Sequence, residues 1–185
     1  MSEADLNGID VAALQEFANT VRENPQEGMC RFSVKTNWKD QTKTVATVSQ
    51  YELGGKSHER KFEIAADEPL ELLGQNDAPN PQEILMAALN ACMSVGYAAN
   101  AAAMGIKLDA LSIETTGALD LRGFLGLDDT VKPGFEEVEF TVRIKTAAPQ
   151  EKVNELHATA MRTSPNFSNF ASTIKMVPNL IVEEA

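Results

Sequence analysis

Asn80-Pro81-Gln82-Glu83-Ile84-Leu85-Met86-Ala87-Ala88-Leu89-Asn90-Ala91-Cys92 is the stretch on which the reading of the fold turns. Asn80 is a good N-cap, Pro81 suits the first helical position, and Glu83 stands where a side chain can reach back to the cap. The helix that starts here is expected to run to about Met104, with Gly105 as its stop. Ile84, Leu85, Leu89, Val95, Tyr97 and the alanines between them cover most of its circumference. A helix apolar nearly all round is a buried one. Gly96 and the many alanines leave room for another backbone to come close.

Upstream of this helix, three stretches alternate in part and carry β-branched or aromatic residues: Arg31 to Lys39, Thr42 to Leu53, and His58 to Ala65. Gly54-Gly55 marks a turn between the last two. Trp38 and Phe62 are expected to point into a strand-helix core. Residues 67–79 read as a loop. Further upstream, Asp10 can cap a first helix with Val11, Leu14, Phe17 and Val21 at helical spacing, ended by Asn24-Pro25. Residues 1–27 thus form a helical arm, and residues 28–185 one domain.

Downstream, strands are expected at Lys107 to Leu121 and Glu136 to Thr146, flanking a loop with Phe124, Leu125 and Leu127. That apolar loop would cover an interface or line a pocket mouth. Pro149 opens a helix through Val153, Leu156, Ala160 and Met161. Ser164-Pro165 starts a short helical turn, and Ile174 to Val182 reads as a closing strand. Helices and strands in mixed order, without regular β-α alternation, give an α+β fold.

Sixteen Lys and Arg against 27 Asp and Glu give a net charge of -11, which repels phosphate backbones and anionic lipid. Nucleic acid and membrane surfaces are therefore poor partners. No stretch is expected to approach the roughly 20 apolar residues that span a bilayer. The acidic segment Met1 to Gly8 lacks the regions of a signal peptide, so a cytoplasmic location is expected. Cys30 and Cys92 have no metal-like spacing, and no nucleotide or flavin fingerprint occurs, so neither a metal nor another cofactor is expected.

The block from Asn80 to Gly105 resembles the signature of the OsmC/Ohr family, in which an Asn-Pro-Glu type helix start leads to a cysteine twelve residues after the Asn. Ser164-Pro165 falls where many members carry Cys-Pro. The resemblance covers roughly Phe32 to Glu183 and leaves the first helix outside. It implies an intertwined homodimer with two long central helices packed together and strands from both chains around them. It also implies, for peroxidase members, that the helix cysteine attacks an organic hydroperoxide and then pairs with a second cysteine, which an external dithiol reduces. An arginine and a glutamate hold that thiolate ready.

Set against that chemistry, Cys92 matches the first cysteine, and two readings of it stand: a nucleophile, or a small buried hydrophobe. Ser164 takes the place of the second cysteine. A hydroxyl cannot form a disulfide, and Ser before Pro is a good helix cap. Gln82 stands at the glutamate position and brings no charge, while Glu83 is explained as a cap. Arg31 and Arg60 are candidates for the arginine, with Lys39 and Lys43 behind them. Cys30 is a candidate replacement for the missing thiol. Tyr97, Phe167 and Phe170 are candidate pocket residues beside Cys92, and His157 reads as a surface or interface histidine.

Two functions follow as expectations. One is a thiol-dependent organic hydroperoxide reductase using Cys92 alone, its sulfenic acid reduced by an external thiol. The other is a non-catalytic dimer of the same fold that binds a small apolar ligand between subunits. A third reading makes the acidic N-terminal arm a protein contact.

Overall fold

The computed structural model describes residues 5–184; Met1 to Ala4, half of the acidic segment Met1 to Gly8, and Ala185 lie outside them. The architecture is α+β, with a long central helix packed on an antiparallel sheet. Strands β1 (Asp5–Leu6) and β2 (Ile9–Asp10) form a small hairpin that the sequence reading missed. Its turn, Asn7-Gly8, has positive φ at both residues, the geometry for which Asn-Gly is favoured. Helix α1 (Val11–Glu23) follows, with Asp10 accepting from the Ala13 N–H as its cap. A short 3-10 turn, Pro25–Gly28, ends the arm.

The expected first strand is divided into β3 (Cys30–Phe32) and β4 (Lys35–Asp40), with Ser33 and Val34 between them outside any strand. Both pair antiparallel with β5 (Lys43–Leu53), whose other edge pairs with β6 (Lys56–Ala66). Gly54-Gly55 makes the two-residue turn, again with both φ positive. The Gly54 N–H donates to the Met29 carbonyl, which ties the hairpin tip to the end of the arm. A Cβ at Gly54 would lie 3.3 Å from the Glu27 Cα.

This sheet does not bury the expected core residues. Trp38 is 70% exposed, and Phe62 is also largely open to solvent. Their alternation is real, but among the described residues no helix covers the apolar face of the sheet.

A 3-10 turn, Leu70–Leu72, lies in the following loop. That loop is gathered around Asp67, a fully buried carboxylate. It accepts from the Thr42 hydroxyl and from the backbone N–H groups of Glu68, Gln75 and Asp77. Burial pushes this carboxyl up, but the four donors outweigh it and hold it at about 2.

Helix α2 (Pro81–Ala103) begins where its sequence says. The Asn80 side chain accepts from Gln82 N–H, and Glu83 accepts in return from the Asn80 N–H at 2.8 Å. At its end Gly105 takes a positive φ. Ile106 N–H reaches the Ala101 carbonyl and Gly105 N–H that of Ala102, closing the paired hydrogen bonds of a glycine stop. The hairpin arm is pinned here: Asn7 donates to the Ile106 carbonyl and accepts from the Leu108 N–H, each at 2.9 Å.

Strands β7 (Ala110–Gly117) and β8 (Val138–Lys145) pair antiparallel and lay one face on α2. They are shorter than expected because the chain leaves the sheet at Ala118 for a loop that holds the four-residue helix α3 (Leu121–Phe124). Helix α4 (Gln150–Thr163) crosses α2, and α5 (Pro165–Ala171) follows it. The core is Leu89, Met93 and Tyr97 of α2 with Leu156 and Ala160 of α4, flanked by the inner faces of β7 and β8.

Three expectations need correction. The closing strand Ile174 to Val182 is absent: these residues are unpaired and exposed, Leu180 at 88%. Their β-type composition is paired with no sheet edge among the described residues, so their backbone groups are left to solvent or to another partner. Helix α2 is not buried all round, since Val95 is 68% exposed on a face that none of the described residues covers. And one stretch does reach membrane-spanning length: an 18-residue window of α2 has mean hydropathy 1.3. Its packing against α4 and β7 gives that apolar character another use.

Candidate functional site

Cys92 sits where α2 meets the junction of α4 and α5. Its Sγ lies 3.5 Å from the Ser164 Oγ, so the structure brings together two positions 72 residues apart. Ser164 is 3% exposed and caps α5, accepting the Phe167 N–H at 3.2 Å. The cap expected from Ser-Pro is therefore present, and the same oxygen also faces the thiol. Cys92 itself is half-buried.

Two further contacts seat α2 on its neighbours, and neither is among the sequence expectations. Asn166 of α5 donates to the Ala88 carbonyl of α2 at 2.8 Å. Asn90 donates to the Ile113 carbonyl and accepts from the Thr115 hydroxyl, which ties α2 to β7. A polar residue inside an apolar helix is the one signal that could have marked Asn90, since a buried amide needs partners.

The candidate pocket residues separate. Phe167 and Phe170 line a cleft of about 420 Å³ with Gln82, Leu85, Leu89 and Phe140, and Lys132 stands among its polar wall residues. A second cleft of about 420 Å³ lies on the other side of Gln82 and Phe135, lined by Met86, Leu121 and Phe124. Phe124 of the apolar loop thus does line a pocket, while Leu125 and Leu127 face solvent. Tyr97 joins neither cleft. It is fully buried, its hydroxyl bonded to His157 Nδ1, and burial pushes the phenol up to about 12. His157 is exposed, as expected of a surface or interface histidine, and its Nδ1 meets the hydroxyl of that core tyrosine. His58 stacks on Tyr51 in the β3–β6 sheet, at 4.7 Å between ring centroids.

Glu83 serves the helix start, as its spacing suggested, and Gln82 is the residue of that turn that faces both clefts. The basic candidates are engaged elsewhere. Arg31 lies 3.7 Å from Glu52. Lys43 pairs with Asp77, whose hydrogen bond raises its ammonium above the ordinary value. Arg60 lies over the rings of Phe32, Tyr51 and Phe62, 5.0 Å from the Tyr51 centroid, and its buried Nε has no hydrogen-bond partner among the described residues. Lys39 is exposed on β4. Cys30 is a free, exposed thiol on β3, and Cys92 is likewise free. Chemically, the junction is a thiol beside a buried hydroxyl; neither Cys92 nor Ser164 lines the first cleft, whose walls reach toward them through Leu89 and Phe167.

A family model described as OsmC-like protein matches residues 74–178, more than half of the chain. In fold the chain is similar to an OsmC like protein from Mycoplasma pneumoniae, 15% identical, covering 76% of this chain and 87% of that one, with a TM-score of 0.60. It is similar also to an OsmC-like protein of unknown function from Vibrio cholerae (15% identical, 76% and 93% covered, TM-score 0.54). A third similar structure is an organic hydroperoxide resistance protein, OsmC, from Legionella pneumophila (19% identical, 75% and 87% covered, TM-score 0.51). At these identities the likeness establishes the fold alone. No curated protein matches the sequence.

Proposed function

The chain belongs to the OsmC-like protein family, and on that premise we propose that it is a homodimeric thiol peroxidase that reduces organic hydroperoxides through Cys92 alone. The observation that carries this reading is the 3.5 Å contact between Cys92 Sγ and Ser164 Oγ. The second position lies against the first, but holds a group that cannot become a disulfide.

The cycle therefore closes through an external thiol. The Cys92 thiolate attacks one peroxide oxygen, the O–O bond breaks, and the alcohol leaves with a proton, so that sulfur is oxidised to the sulfenic acid. One external thiol displaces water to give a mixed disulfide. A second external thiol releases Cys92 and carries away the oxidising equivalents as its own disulfide. The same reading puts the protein in the cytoplasm, where such thiols are kept reduced.

The dimer is supported by the uncovered face of α2, the exposed aromatic residues of the β3–β6 sheet and the unpaired apolar segment 174–182. Apolar surface of that extent on one chain favours a second copy as its cover. Residues 28–185 make the family domain in this reading, and residues 1–27 an arm added to it.

A second reading has its own support. Arg31 and Lys43 are paired with acidic groups and Arg60 with aromatic rings, so within one chain none of them serves Cys92. On that view the protein is a non-catalytic dimer holding a small apolar ligand in the cleft lined by Leu85, Leu89, Phe140, Phe167 and Phe170.

The two readings separate in one experiment. The reduced protein is exposed briefly to cumene hydroperoxide with a sulfenic-acid trap present, and each cysteine is followed by mass spectrometry. Fast trapping at Cys92, selective over Cys30, is the expected result. A Cys92 that stays reduced overturns the peroxidase and leaves the ligand-binding dimer.

A further inference from the structure

We propose that Ser164 is a positioning residue for the thiol: its hydroxyl donates its hydrogen to the Cys92 sulfur and steadies negative charge there. The inference rests on the reading of Cys92 as the reacting group, and it assigns the direction of a contact that geometry alone leaves open.

The direction follows from what else the hydroxyl does. A serine has one hydrogen to give and two lone pairs to receive. The Ser164 oxygen already accepts the Phe167 N–H at 3.2 Å, as the cap of α5. That donor sets the orientation of the oxygen, because its backbone is fixed by α5. The hydroxyl hydrogen is then left to find an acceptor in a place almost closed to water, since Ser164 is 3% exposed. Among the described residues, the Cys92 sulfur at 3.5 Å is the side-chain acceptor within reach. A buried hydroxyl hydrogen without an acceptor is costly, so the contact is held.

A donor so placed has more effect on charged sulfur than on the neutral thiol. Hydrogen bonds to ionised groups are shorter and roughly twice as strong as those between neutral groups. Ser164 thus takes up, in part, the work of a cation beside the thiol, while its chemistry withholds the disulfide. The residue that removes the resolving step also assists the attacking one.

The test measures the thiol without any peroxide, in a Cys30→Ala background so that Cys92 is the sole cysteine. Ser164→Gly keeps most of the capping free energy and loses the hydroxyl; Ser164→Thr keeps both. The rate of iodoacetamide alkylation at near-neutral pH should fall about tenfold in Ser164→Gly, the order of effect of one hydrogen bond to a charged group. Ser164→Thr should restore it. An unchanged or faster rate in Ser164→Gly overturns the proposal. So does equal slowing in both variants, which would mark a purely structural cap.

The infrared S–H stretch of the Cys30→Ala protein gives a second measurement that needs no change at Ser164. A thiol that accepts from Ser164 keeps the frequency of a free S–H, whereas a thiol that donates to Ser164 shows a lowered one and sinks the idea. Alkylation slowed in Ser164→Gly, with no sulfenic acid formed by peroxide, would remove the peroxidase reading and leave this contact standing. Rapid sulfenic acid formation with alkylation indifferent to Ser164 would do the reverse.

Discussion

Thr42 and Asp67 stand 25 residues apart and meet where the β3–β6 sheet gives way to the loop before α2: the threonine hydroxyl donates to the buried carboxylate across 2.8 Å. The same carboxylate receives three backbone N–H groups, so one ionised side chain holds the whole loop. Its folded value of about 2 lies below the ordinary carboxylate value. A depressed value contributes stability that is fully present above the unfolded value, about 4, and is lost as pH falls through about 2.

Thermal unfolding followed from near-neutral pH down to about pH 2 should therefore show a steep loss over the last two pH units, to which Asp67 contributes. Asp67→Asn should lower the midpoint by several degrees at near-neutral pH and flatten that acid slope. An amide presents its NH2 to donors that need an acceptor. Parallel wild-type and variant curves would show that the carboxylate does not hold the loop.

Asn7→Ala should release the arm. The substitution removes both hydrogen bonds to residues 106 and 108, each contributing about 1 kcal/mol, and places alanine at a φ of 57°, where an L side chain costs about 1–2 kcal/mol. Amide exchange in β1, β2 and α1 should accelerate by about tenfold or more, while α2 and α4 keep their protection. Unchanged exchange in the arm would refute the anchoring role.

Ser164→Cys should restore the missing step. The existing Sγ to Oγ separation of 3.5 Å becomes shorter in effect with the longer C–S bond, and a disulfide needs about 2.05 Å. After one equivalent of hydroperoxide the variant should lose two hydrogens and resist alkylation at both thiols until reduced. Accumulation of a trapped sulfenic acid instead would mean that the two side chains meet in the wrong orientation.

Val95→Glu should break the proposed dimer. The residue lies in the middle of α2 on its open face, and a carboxylate buried against a second copy has no partner there. Light scattering should show a dimer for the natural sequence and a monomer for the variant, an association weakened by at least about tenfold. A monomer in both cases would refute the homodimer.

The parts of this fold that could be read from sequence are those whose causes are local. Asn80, Pro81, Glu83 and Gly105 define the ends of α2 through contacts within five residues, and the structure has all of them. Gly54-Gly55 fixed a turn in the same way. Asn7-Gly8 carried an equally local signal and went unread, because the strands beside it are only two residues long. What failed depends on distant partners. The segment Ile174 to Val182 has strand composition but pairs with no strand, and Trp38 and Phe62 alternate correctly on a sheet face that none of the described residues covers.

The site was legible only through resemblance. Nothing in the local sequence of Cys92 or Ser164 says that they touch; that follows from α4 crossing α2 at Leu156 and Ala160. Tyr97 was misplaced for a related reason, since an aromatic residue near a motif looks the same whether it lines a cleft or fills the core. Asp67 gave no sign at all, because a carboxylate in a polar loop reads as solvated until its four donors are seen.

The turn at Gly54 has a consequence for anyone who would engineer this protein. A two-residue hairpin tip is ordinarily a safe place to splice in a tag, a fluorophore site or a new pair of chain ends. Here the tip is occupied. Its N–H is spent on Met29, and a Cβ would collide with Glu27. Lengthening that turn would unhook the arm from the hairpin as well, so insertions belong elsewhere.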